Sequence, residues 1–176
     1  MQNDITIGSP IAGRTSARYQ YVIGMFVNTL PLKQNIQSSN TFSNFLGLVK
    51  GNCLNAFAHQ DYPFDALVKD LAIPRDVSRN PLFDVMFTYE SSGLPKLNLK
   101  GLNSEYVIPR NDTSKFDFSL EVTPNDGVYS LRLEYATSLF TRDFMVTFLD
   151  SYKNIVSCVL NDADVQIAIL RALEGY

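Results

Sequence analysis

His59 is the only histidine in the chain. A metal site built on two imidazoles is therefore closed to this sequence, and a Ser–His–Asp relay would have to run through His59. Spacing along the chain neither supports nor excludes such a relay. The plainer reading is a polar residue at a helix C-terminus, where a cation suits the dipole. Asp61 and Asp65 stand four apart at a helix start. Paired acid–base work is one use of that spacing; a cap and a first-turn dipole contact explain it more simply. The sequence holds no GxGxxG, Walker loop, HExxH or GxSxG. Cys53 and Cys158 form no CxxC and read as buried free thiols in a reducing compartment.

Polar residues of unusual density occur in three other places. Ile23-Gly24-Met25-Phe26-Val27-Asn28-Thr29-Leu30-Pro31-Leu32-Lys33 sets an amide, Asn28, inside an apolar run. His59-Gln60-Asp61-Tyr62-Pro63-Phe64-Asp65 crowds three polar residues into a junction between two helices. Arg75-Asp76-Val77-Ser78-Arg79-Asn80-Pro81-Leu82 is a polar loop ahead of an apolar strand. Arginine and asparagine in such places can satisfy carbonyls left unpaired at element ends.

The elements that must position these segments follow from periodicity. Ile5-Thr6-Ile7 is a short strand entering a Gly/Pro-punctuated loop through Arg14. Tyr21 to Val27 is rich in β-branched and aromatic residues and reads as a strand covered on both faces, ended by Pro31. Asn40 or Thr41 caps a helix whose apolar stripe is Phe42, Phe45, Leu46, Val49, Cys53, Ala56 and Phe57. A shorter helix starts at Pro63, buries Phe64, Leu67, Val68 and Leu71, and stops at Pro74. Period two from Phe83 to Tyr89 gives a strand. Residues 91 to 114 read mostly as loop, with a short strand open at Tyr106-Val107-Ile108. A hairpin joins Phe116–Thr123 to Tyr129–Tyr135 through Pro124-Asn125-Asp126-Gly127. With Asn125 and Asp126 as the loop, Val122 faces Tyr129, Leu120 faces Leu131 and Phe118 faces Leu133. Thr141 caps a last helix with Phe144, Phe148, Tyr152, Ile155 and Val159 inward. The tail from Asp162 reads as a strand or the start of a linker. The sum is an α/β (α+β) sandwich, a mixed or mainly antiparallel sheet with helices packed on it.

Composition sets the outer limits. With 176 residues, 45% of them hydrophobic and 19% charged, the chain can bury one core and is not disordered. A net charge of −3 argues against a nucleic-acid binder. No apolar run approaches the ~20 residues of a membrane span. Met1-Gln2-Asn3-Asp4 has neither the cationic start nor the apolar core of a secretory signal. A cytoplasmic protein is expected.

The three polar segments also carry a resemblance. IGMFVNTLPLK, HQDYPFD and RDVSRNPL are similar, in order and spacing, to three signature motifs of the condensation domain of nonribosomal peptide synthetases, with Lys33 where the family has arginine. The likeness runs upstream through Gly8–Arg14 and downstream through FDFSLEV and LEYATSLF. The family's catalytic motif, HHxxxDG, has no counterpart, since the chain has a single histidine. The resemblance is therefore to the C-terminal lobe alone, over residues 1–165, with 166–176 as tail or linker.

It implies a chloramphenicol-acetyltransferase-like lobe that pairs with an N-terminal lobe around a tunnel. There an acceptor amine attacks a donor thioester, both held on phosphopantetheine arms of peptidyl carrier proteins. The chain itself would bind no cofactor or metal and would be inactive alone. An adenylation domain is the expected neighbour, and self-association through the uncovered lobe face is a further expectation. Arg14 and Asn28 are implied near the tunnel, Arg14 pairing with the acid of the absent motif and Asn28 offering its amide to a cavity. Gly24, Asp61, Arg75, Asp76, Arg79 and Asn80 are implied as structural supports. The FVNT strand favours condensation over epimerization; heterocyclization stays open. The other reading is a stand-alone, non-catalytic domain that binds carrier proteins or partner enzymes.

Overall fold

The computed structural model describes residues 3–74, 76, 79–91, 99–103, 107, 112–125 and 127–172. Five strands, β1 (Asp4–Ile11), β2 (Asn28–Asn35), β3 (Val85–Tyr89), β4 (Phe118–Asn125) and β5 (Val128–Tyr135), form one sheet in the order β2-β1-β3-β4-β5. The outer pairs β1/β2 and β4/β5 are antiparallel; β1/β3 and β3/β4 are parallel. Among the described residues four α-helices accompany it, α1 (Phe42–Ala58), α2 (Phe64–Asp70), α3 (Arg142–Asn161) and α4 (Ile167–Ala172), with a single 3-10 turn at Ala17–Tyr19. This is the mixed sheet with packed helices that the periodicity predicts.

Alternation places Val85, Phe87, Phe118, Leu120, Leu131 and Leu133 on one face of the sheet. Phe148 of α3 meets Phe118 there edge to face at 5.1 Å, and Met145 is the most deeply buried side chain described. Elsewhere, Phe83 lies directly over Gly8 and between Phe64 and Phe116, at 5.8 and 5.6 Å.

Several expectations are corrected. Tyr21–Val27 is not a strand; the strand begins at Asn28 and carries Pro31 within it. Because β2 is an edge strand, its backbone has N–H positions that need no partner, and a proline fits. The hairpin pairs Val122 with Leu131, Leu120 with Leu133 and Phe118 with Tyr135. That register lies two residues beyond the expected one, because Asn125 pairs with Val128 and the loop is one step later, with Gly127 at φ 88°. A shift of two keeps every side chain on its face, so the apolar faces still coincide. The expected loop residue Asp126 lies outside the described residues.

The tail is neither strand nor linker up to residue 172. Phe42 and Ser43 donate backbone N–H to Val165 O and Ala163 O at 2.9 and 2.8 Å, and Ile167 N donates to Asn40 O at 2.9 Å. Val165, Ile167 and Leu170 are buried there against Phe42, Phe45, Ile155 and Val159. Thr41 is the residue that caps α1, accepting from Asn44 N, and Thr141 caps α3 in the same way. Within α1, Phe42, Phe45, Val49, Cys53 and Ala56 are half-buried, whereas Leu46 and Phe57, placed inward by the sequence reading, are exposed. Leu71 and Phe144 are likewise exposed, and both cysteines are half-buried rather than buried. The short strand open at residues 106–108 falls almost wholly outside the described residues.

Candidate functional site

Asn28 is the hub. Its Nδ2 donates to Gln60 O at 2.9 Å and Tyr62 O at 2.8 Å, and its Oδ1 accepts the backbone N–H of Phe64 at 3.1 Å. The helix junction has a reason to need it. Pro63 occupies the N-cap of α2 and offers no side-chain oxygen, so the first N–H of that helix has no local partner. Asn28 supplies the acceptor from 36 residues upstream. The Asn28 amide, implied as a donor to a cavity, thus gives both its hydrogen bonds to the protein's own backbone.

His59 closes α1 as its C-cap, with its N–H on Ala56 O and Phe57 O. Asp61 accepts from Thr15 Oγ1 at 3.2 Å, joining the junction to the loop after β1. A groove of about 670 Å³ runs beside this network, lined by Thr29, Leu30 and Pro31 of β2, Ala56, His59, Asp61 and Tyr62 of the junction, and Leu67 of α2. Tyr62 sends its hydroxyl to Asp70 across one side of α2; that hydrogen bond, then desolvation and the carboxylate charge, push its pKa above the usual tyrosine value.

Arg14 governs the loop that leads to Asn28. Its Nη1 donates to Tyr19 O and to Val22 O, the latter at 3.0 Å, and its Nη2 donates to Gly24 O at 3.4 Å. The guanidinium sits 4.3 Å from the Phe26 ring centroid, and Phe26 meets Tyr19 at 5.4 Å. Gly13 makes the approach possible. Its φ is 62°, and a Cβ there would lie 1.8 Å from Phe26 O. Outward from this knot, Tyr21, Ile23, Met25 and Val27 are 89%, 100%, 91% and 62% exposed. Ile23 and Met25, left in water, each forgo about 1.5–3 kcal/mol relative to full burial.

The third motif lies on the other side of α2. Arg79 grips Asp84 through both Nη2 and Nε, the latter at 3.3 Å, and that bond with the carboxylate charge raises its pKa further. Asn80 donates to Lys115 O at 3.1 Å, and Asp76 O accepts from Arg79 N at 3.3 Å. A groove of about 650 Å³ separates this loop from Phe64, Asp65, Val68 and Lys69 of α2. The structure thus brings Asn28, Asp61 and the Arg14 loop together, and leaves Asp76, Arg79 and Asn80 as a separate brace. Arg75 lies outside the described residues. Thr15, Tyr19 and Phe26 complete the site without having been foreseen. Only the glycine at 13 hints at the close contact with Phe26; nothing local in the sequence announces Thr15's partner 46 residues away.

Comparison with known proteins fits this arrangement. A family profile described as Condensation domain matches residues 1–174. Tyrocidine synthase 3 of Brevibacillus parabrevis is 40% identical over 171 residues, covering 94% of this chain and 3% of the synthase. Surfactin synthase subunit 2 of Bacillus subtilis (strain 168) is 46% identical over 142 residues, 81% of this chain and 4% of that protein. The chain therefore spans only a few per cent of the curated relatives it matches. Among solved structures, holo-AB3403, a four-domain nonribosomal peptide synthetase bound to AMP and glycine, superimposes with TM-score 0.85 at 23% identity, over 95% of this chain and 14% of that one. The condensation domain from the Monacolin K polyketide synthase MokA gives 0.79 at 24% identity, over 95% and 39%.

Proposed function

The chain belongs to the condensation-domain family, and from that premise we propose that it is the C-terminal lobe of a domain that forms amide bonds between carrier-bound aminoacyl or peptidyl thioesters. In that reaction the acceptor amine attacks the donor thioester carbonyl. The carbon–sulfur bond breaks, the donor thiol leaves on its phosphopantetheine arm, and the new amide stays on the acceptor arm. The arms are the substrates' handles and arrive with the carrier proteins. This chain has one histidine, so the HHxxxDG motif that handles the proton belongs to a second lobe. The residues here frame the tunnel wall: Asn28 locks the helix junction, Arg14 holds the loop beside it, and Asp76, Arg79 and Asn80 brace the far side of α2.

The observation that carries this reading is the exposed apolar segment Tyr21–Val27, set beside the motif network in a chain that covers about two fifths of a solved condensation domain. An adenylation domain and two carrier proteins are the partners proposed for the assembled enzyme, in antibiotic or lipopeptide synthesis. Among the described residues no helix is long and apolar enough to cross a membrane.

The test supplies the missing half in trans. The chain is mixed with the HHxxxDG-bearing lobe of a related condensation domain and with loaded donor and acceptor carrier proteins. Dipeptide on the acceptor arm, seen by mass spectrometry only when both lobes are present, is the expected result. Carrier-protein binding with no product in any combination would instead indicate a stand-alone binding domain.

A further inference from the structure

We propose that the outer edge of β5 is an interaction surface for a second copy of this chain, paired antiparallel with Leu133 on the two-fold axis. This contact depends on the sheet of this lobe alone and not on the reaction proposed above.

β5 ends the sheet, so among the described residues its outer side has no strand partner. The existing ladder decides which backbone groups face outward. Ala136 N donates to Asp117 O across the β4–β5 pair, whereas Val122 of β4 turns its carbonyl away from β5, to Glu90 N. Bonded and non-bonded positions alternate along an antiparallel pair. Val122 stands opposite Leu131, so Leu131 makes no ladder bond to β4, and Tyr129, Leu133 and Tyr135 share its phase. The N–H and C=O groups of these four residues therefore point to the free edge.

Sheet edges are ordinarily blunted by proline, lysine or a bulge. β2, the opposite edge, carries Pro31 and Lys33. β5 has eight residues, no proline and an unbroken register with β4. Its side chains select the partner. Arg132 and Glu134 share one face, and Leu131, Leu133 and Tyr135 the other. With Leu133 opposite Leu133 of the second copy, Arg132 meets Glu134 twice and Leu131 meets Tyr135 twice. Sliding one copy by two residues sets Arg132 against Arg132 in one direction and Glu134 against Glu134 in the other, and like charges directly opposite are destabilising. A slip of one residue sets outward groups against groups already bonded to β4. Arg132 reaches Glu121 through Nη2, and a guanidinium has five donors, so its fork can also serve the second copy. Among the described residues no ion pair holds the Glu134 carboxylate.

The pairing adds about six main-chain hydrogen bonds. One strand pair covers less than the ~1,000 Å² of a stable interface, so the contact is transient and is read by exchange and trapping rather than by sedimentation.

The experiment is residue-resolved amide hydrogen exchange on the wild-type chain at rising concentration. The amides of Leu131, Leu133 and Tyr135 are expected to slow about twofold at millimolar chain. Tyr129, outward but beyond the overlap, keeps its rate, and Arg132 and Glu134, bonded to β4, show the sheet intact. Unchanged rates at Leu131, Leu133 and Tyr135, or slowing that extends to Tyr129, would overturn the proposal. Trapping checks the register. Chain bearing Arg132→Cys is mixed with chain bearing Glu134→Cys and oxidised gently. A non-bonded antiparallel pair holds its Cα atoms about 4.5 Å apart, within reach of a disulfide. A link between positions 132 and 134, in roughly tenfold excess over 132–132 and 134–134 links, is expected of that geometry; peptide mapping keeps Cys53 and Cys158 out of the count. A statistical mixture of links would overturn the pairing. Should either variant fail to fold, the wild-type exchange decides alone.

Discussion

Asn28 caps a helix that it does not belong to: its Oδ1 accepts the Phe64 N–H at 3.1 Å, in the place a cap side chain on Pro63 would have filled. The same amide ties down Gln60 O and Tyr62 O, so one residue at the start of β2 fixes the whole turn between α1 and α2.

Asn28→Ala removes three hydrogen bonds, two of them part-buried. At about 1 kcal/mol net for each, a loss of about 2–3 kcal/mol is expected, or roughly 4–12 °C in Tm for a chain of this size. Asn28→Asp is expected to be at least as harmful, because it turns a carboxylate oxygen toward two carbonyls. Thermal denaturation followed by circular dichroism checks both; a fall of less than 1 °C in each would remove Asn28 from its central place.

Gly8→Ala and Gly127→Ala separate close packing from backbone strain. A Cβ at Gly8 would stand 2.2 Å from the Phe83 ring, whereas one at Gly127 meets nothing within 4 Å and suffers only from φ 88°. Overpacking costs about 1–3 kcal/mol, and a single left-handed alanine roughly 1 kcal/mol. Urea titrations should rank Gly8→Ala as the more destabilising; the reverse order would contradict the packing described around Phe83.

Two tyrosines should ionise late. Tyr62 is raised above its ordinary 10.0 by Asp70 and desolvation, and Tyr89 by the charge of Tyr129, desolvation and the hydrogen bond between them. A raised folded-state pKa means that the stabilisation is complete below the unfolded value of 10.0 and is lost as pH climbs through the folded one. The contribution of these two tyrosines is expected to stay constant up to about pH 10 and to be lost beyond it. Tyrosinate absorbance should show a late fraction among the nine tyrosines, and Tyr62→Phe should remove part of it. Loss of an ordinary titration in that variant would refute the Tyr62–Asp70 bond.

The exposed segment predicts behaviour at high concentration. Ile23 and Met25 offer a greasy face to a second copy, so sedimentation is expected to show self-association at high concentration, reversed by Ile23→Asp. A monomer at every concentration, in wild type as in the variant, would count against an unsatisfied docking face.

Much of this was legible from residues. The pair Asn40 and Thr41, of which Thr41 is the cap, and Thr141 announced two helices, and the alternation of Phe118, Leu120 and Val122 announced a sheet face whose parity survived a register error. The error itself arose because Asn125, Asp126 and Gly127 all suit a turn, so the chemistry did not choose between adjacent two-residue loops. Tyr21–Val27 misled for a deeper reason. An apolar run left exposed has the same composition as one buried in a sheet, and periodicity carries no record of what lies opposite. Ile167 and Leu170 were missed because six residues are too few to show a helical period. The site followed the same division: motifs located Asn28, Asp61, Arg79 and Asn80, but their bonds to Phe64, Thr15, Asp84 and Lys115 join residues whose proximity exists only in the fold.

The most direct measurement is the peroxide oxidation rate of Met25, mapped by peptide mass spectrometry, with and without the HHxxxDG-bearing lobe of a related condensation domain. Met25 is 91% exposed and Met145 is 2% exposed, so Met145 serves as the slow internal standard. The account predicts that the added lobe slows Met25 toward the rate of Met145. Formation of a complex in which Met25 still oxidises at its free rate would show that the lobes meet elsewhere and that the role assigned to this segment is wrong.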